Sequence, residues 1–222
     1  MRKSTFMNPF LQRADALLRG ASDSPTWRRS FAYSIIFGLL YGAVMGCFGG
    51  LSAERWIQIA YSSLKVPLLL LVTFGFALPP FFVMNTLLGV REDFAVALRA
   101  ILEMQAGVAL ILASLAPLTL GVYVSTSQYE AAVLFNFLMF CLAACSAQII
   151  LYRRYRALIV RRAIHAKLMW AWLACYCFIG AQLAWTLRPF IGAPNAPVHF
   201  FRGMLGGNVY EVLGHLLVKL MS

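Results

Sequence analysis

Glu211 and His215, with His199 farther off, are the residue types in this chain that suit a metal ion, and the first two lie one helical turn apart. Lys219 continues the same stripe at i+8, opposite Val212, Leu213, Leu216, Leu217 and Leu220. That pattern is an amphipathic surface helix with one ion pair sooner than a ligand set. Cys141 and Cys145 are also a turn apart. All five cysteines (these two with Cys47, Cys175 and Cys177) fall in apolar stretches and read as small hydrophobes. Glu103 is the one carboxylate inside a long apolar run, and Arg99, a turn earlier, is its expected partner. The sequence contains no nucleotide loop, zinc-protease helix or nucleophile elbow. The expectation is a chain with no catalytic residue, no metal and no cofactor, and so not an enzyme.

The elements that would position these residues follow from composition. Of 222 residues, 61% are hydrophobic and 12% charged, against roughly 45–50% and 25% in soluble domains. The excess sits in blocks long enough to cross a hydrocarbon core of about 30 Å at about 1.5 Å per residue. Five spans are expected, at 31–50, 66–90, 102–124, 131–152 and 168–187. The fold class is therefore all-α: an integral membrane bundle of five helices with amphipathic surface helices at both ends. Residues 1–30 form a basic amphipathic segment, 31–190 the membrane domain, and 191–222 an external loop and helix. Asn8, Pro9 and Gly20 delimit the first surface helix by their capping preferences.

The net charge of +11 excludes no class by itself, but the cations lie beside the spans, so anionic lipid is the expected partner and nucleic acid is not. With five spans, fourteen Lys and Arg residues fall on one side and five on the other. This division places the N-terminus in the cytoplasm and the C-terminus outside. Trp27, Tyr61, Tyr123, Tyr129, Tyr152, Tyr155 and Trp185 flank the spans, where amphipathic rings prefer to sit.

Ser34, Gly38, Gly42, Gly46 and Gly50 recur every fourth residue, a stripe of small side chains that lets a second helix approach closely. The groove is filled either by another span of this chain or by another subunit. Pro79 and Pro80 lie near the midpoint of the second span and Pro117 in the third, where a kink or break is expected. Arg153, Arg154, Arg156, Arg161 and Arg162 extend the fourth span into a basic cluster, either a topology determinant or a lipid-headgroup site. Between Arg188 and Arg202, Pro189, Gly192, Pro194 and Pro197 preclude regular helix, while Phe190, Phe200 and Phe201 call for burial. This is expected to be a structured external loop that docks a partner or closes the bundle.

Three strings, Leu64-Lys65-Val66-Pro67-Leu68-Leu69-Leu70 through Pro79-Pro80, Leu112-Ala113-Ser114-Leu115-Ala116-Pro117-Leu118 and Trp185-Thr186-Leu187-Arg188-Pro189-Phe190-Ile191-Gly192-Ala193-Pro194, resemble a group of bacterial polytopic membrane proteins, loosely Yip1-like. The resemblance covers roughly residues 60–210. It implies a cytoplasmic N-terminus, five spans and a short far-side tail, and no catalytic residues. The leading expectation is a non-enzymatic membrane protein that assembles with itself or with other membrane subunits as a scaffold. A small transporter or channel on the second and third spans is the alternative.

Overall fold

The computed structural model describes residues 27–50, 55–193 and 197–201. The amphipathic helices expected near 8–20 and 208–222, and Arg202, lie outside these described residues. Five long α-helices follow in order: α1 (Trp27–Gly46), α2 (Trp56–Leu87), α3 (Phe94–Ser125), α4 (Tyr129–Arg161) and α5 (Ile164–Thr186). Each is long and apolar enough to cross a membrane. There is no strand among the described residues. α1 starts at Trp27, four residues before the expected span. α2 starts ten residues before its expected start and α4 runs nine past its expected end. At 32 and 33 residues, α2 and α4 exceed the ~20 that a bilayer core requires. Their extra turns build structure at the two ends of the bundle.

Short connections make consecutive helices antiparallel. Arg162 and Ala163 alone separate α4 from α5, and residues 126–128 separate α3 from α4. α1 lies between α2 and α3. α4 packs on the far side of α3, and α5 on the far side of α2. Residues 100–110 of α3 are all buried, so this helix is covered on every face along that stretch. An aromatic chain ties four helices together. Phe31 of α1 meets Phe74 of α2, and Phe74 and Phe81 both meet Trp172 of α5. Phe81 also meets Phe94 at the start of α3, with ring centroids 5.9 Å apart. Outward-facing apolar residues such as Ile36, Leu40, Phe76, Phe137 and Phe178 suit a hydrocarbon surround.

The end of α2 is closed by a glycine in the left-handed region. Gly89 has φ +68, its N–H donates to Thr86 O, and the Val90 N–H reaches back to Asn85 O at 2.9 Å. This pair of bonds is the Schellman closure, which satisfies orphan carbonyls and turns the chain sharply. Val90 is buried behind it. The turn delivers Arg91, Glu92 and Asp93 to the mouth of the bundle.

Pro67, Pro79 and Pro80 lie inside α2, and Pro117 inside α3, yet neither helix is interrupted. Of the kink or break expected at Pro79–Pro80 and Pro117, the break does not occur. Membrane helices tolerate proline where neighbouring groups accommodate the freed backbone.

Candidate functional site

The small-residue stripe of α1 faces α2. A Cβ on Gly42 would stand 2.8 Å from Ser63 Cα, and one on Gly46 2.6 Å from Ile59 Cα. Gly38 is similarly close to Pro67, at 3.2 Å. Backbone meets backbone along this seam, and the Ser63 hydroxyl donates across it to Leu39 O at 3.0 Å. Ser34 is buried on the same helix, its hydroxyl turned to Ser30 O. Gly50 lies beyond the helix end at φ +103, and a Cβ there would meet nothing within 4 Å among the described residues, so it takes no part in the seam. In the folded chain, then, it is α2 that occupies the groove.

Nearer the C-terminal end of α1, its Tyr41 donates to Asn136 Oδ1 of α4 at 3.1 Å. The Asn136 amide donates in turn to Tyr123 OH of α3 and to Ala132 O. Interhelical bonds of this kind are worth about 0.6–2 kcal/mol each. They make this network a fastening for α1, α3 and α4.

The chain after α5 forms a strap across the N-terminal half of α2. Its backbone is irregular, so its carbonyls need donors from elsewhere. Lys65 Nζ donates to Pro189 O, and the Ser62 hydroxyl to Phe190 O. Tyr129 OH donates to Ile191 O, and the Arg55 guanidinium to Gly192 O and Ala193 O. Five successive carbonyls are thereby satisfied, four of them by α2 or its first flanking residue. Gly192 permits the close approach, since a Cβ there would lie 2.7 Å from the Gln58 amide carbon. Lys65 is fully buried, with its ammonium 4.9 Å from the centre of the Phe200 ring.

The aromatic residues of this loop turn inward. Phe190 packs against the core, and Phe200 stacks edge-on with Tyr61 at 5.2 Å. Arg188 lies over Trp185 and donates to its carbonyl. Of the residues expected to dock a partner, Phe201 stays exposed.

A second polar cluster forms at the opposite end. Glu103 is buried and meets Arg154 of α4 at 2.6 Å. The partner expected from sequence, Arg99, is exposed one turn away, and no ion pair joins the two among the described residues. Arg154 is accordingly committed inside the bundle, unlike Arg153, Arg156, Arg161 and Arg162, which are exposed. Asp93 accepts from His165 Nε2 at 3.0 Å, with Arg161 at 4.0 Å from the same carboxylate. Arg162 donates to Gly89 O at 3.0 Å, capping the closed end of α2. Tyr155, expected at the interface, is instead buried edge-on to His165. Tyr155 OH, His165 Nδ1, Trp172 Nε1 and both ends of the Gln105 amide have no hydrogen-bond partner among the described residues.

Sequence reasoning passed over Asp93, His165, Arg55, Gln58, Ser62 and Lys65. The last four carried a readable signal, donors spaced three, four and three residues apart on one helical face. Asp93 and His165 carried none, being 72 residues apart. Against known proteins, no family model, no curated protein and no solved structure matches the chain. The Yip1-like resemblance therefore rests on the three strings alone.

Proposed function

We propose that this chain is a non-enzymatic, multi-pass protein of a bacterial inner membrane whose work is to hold a membrane assembly together, with other subunits or with further copies of itself. The observation that carries the reading is how unevenly the chain covers its own helices. In the apolar window of α1, 44% of residues are buried within the chain, and in that of α5, 11%. α5 is fastened at its inner end by His165 on Asp93 and in its middle by Trp172 on Phe74 and Phe81. The strap that follows it is fastened to α2. Between these points Trp170, Ala174 and Cys177 are exposed. A helix fixed in place yet little covered by the other described residues offers a rigid face for another span to pack on.

Orientation follows from charge. The described end bearing Arg28, Arg29, Arg91, Arg99, the α4 arginines and Lys167 faces the cytoplasm, and the strap faces outside. The transporter alternative rests on kinks at the prolines of α2 and α3, through which both helices run on without a break. Gentle detergent extraction followed by native mass measurement tests the proposal. A stable complex with a second copy or another subunit is expected. A lone monomer that moves solute into liposomes would contradict it.

A further inference from the structure

We propose that the end of the α4–α5 hairpin is a seat for an anionic phospholipid, whose headgroup phosphate is held by Arg153, Arg156 and Lys167. Six cations lie between residues 153 and 167, and the structure divides them in half. Arg154 is taken by Glu103, Arg161 leans on Asp93, and Arg162 caps the Gly89 carbonyl. Arg153, Arg156 and Lys167 are exposed and have no ion pair among the described residues. The set differs from the basic cluster read in the sequence: it loses the inward-facing and capping arginines and gains a lysine from the next helix.

Depth and facing support a lipid as the occupant. Arg153 and Arg156 share the exposed face of α4 with Tyr152 and Ile149, and Lys167 shares that of α5 with Trp170. Tyr152 and Trp170 are 53% and 65% exposed, as expected of rings at a membrane–water boundary. About twenty residues of helix cross the core. Counting them from Tyr129 along α4, or backwards from Thr186 along α5, brings the boundary to within about one helical turn of these rings. The three cations therefore stand at headgroup depth above apolar helix faces that acyl chains can follow. Of the acids at this end, Glu103 and Asp93 are already engaged and Glu92 makes no ion pair with these cations among the described residues, so the cations are left for an outside anion. A soluble phosphate would meet the charges and not the apolar faces below them. The inference rests on the membrane reading and is independent of any partner subunit or of orientation.

The test uses purified full-length protein in phosphatidylcholine nanodiscs doped with spin-labelled phosphatidylglycerol, reading the motionally restricted fraction. The triple variant Arg153→Gln, Arg156→Gln, Lys167→Gln is compared with Arg28→Gln, Arg29→Gln, Arg99→Gln, which removes equal charge from exposed sites elsewhere at the same end. The first set should lower the preference for phosphatidylglycerol about tenfold, with helical content unchanged, while the second largely keeps it. An equal fall in both, or no fall in either, overturns the seat. On the unmodified protein, raised salt should weaken the preference, and a preference indifferent to salt overturns it as well. Displacement of the labelled lipid by inorganic phosphate would also count against it.

Discussion

Glu103 and Arg154, 51 positions apart in the chain, meet at 2.6 Å between α3 and α4 with side-chain exposures of 2% and 17%. The contact fixes how far α4 slides along α3, because both residues sit on long continuous helices. It lies where residues 100–110 of α3 are closed off on all sides. There an unmatched charge would be costly.

Removing one partner alone should therefore be severe. Glu103→Leu leaves a partly buried guanidinium and should cost about 3–5 kcal/mol. The double variant Glu103→Leu, Arg154→Leu should recover most of that loss, because no buried charge remains. Unfolding midpoints of the four proteins in one detergent complete the double-mutant cycle. Additive losses would show that the pair is not coupled.

The seam between α1 and α2 predicts a contrast among glycines. Gly42→Ala forces a Cβ against Ser63 backbone and should destabilise by about 1–3 kcal/mol through overpacking. Gly75→Ala meets open space inside α2 and should be neutral or stabilise by up to about 1 kcal/mol through helix propensity. Thermal unfolding separates the two. Equal effects would dissociate the seam from stability.

How much of this was legible beforehand depends on the range of the interaction. Spans announce themselves by local hydropathy, so five helices were readable from composition and length. The glycine stripe was readable from spacing, but not the helix it faces, which is a tertiary fact. Glu103 was assigned the cation one turn away because sequence shows only neighbours along a helix. Its actual partner comes from the other side of a hairpin. The N-terminal turns of α2 were taken for a connection because Gln58, Ser62 and Lys65 are polar. Their polarity serves the strap, whose carbonyls they satisfy. Prolines at 79, 80 and 117 suggested a kink or break; that the helices run on unbroken depends on neighbouring groups that take up the freed backbone, which the sequence does not place.

The strap gives a third prediction. Ser62→Ala leaves the Phe190 carbonyl only the long 3.5 Å bond from Gln58, and Arg55→Met leaves those of Gly192 and Ala193 without their side-chain donor, at about 1–3 kcal/mol for each variant. Hydrogen exchange at the amides of Ile191 and Gly192 should speed up in both variants while exchange in α3 is unchanged. Unaltered exchange would mean that the side-chain donors do not hold the loop.

Whether α5 works as an open face for another span is the claim on which the proposed assembly turns. A photoreactive phenylalanine analogue at Cys177, exposed on α5, with one at Trp172, buried against α2, as control, reads it in intact membranes. Illumination should give a discrete polypeptide adduct from position 177, either a second copy or another subunit, and only intrachain adducts from position 172. Lipid adducts alone from position 177, with an extracted mass equal to one chain, would contradict the assembly role.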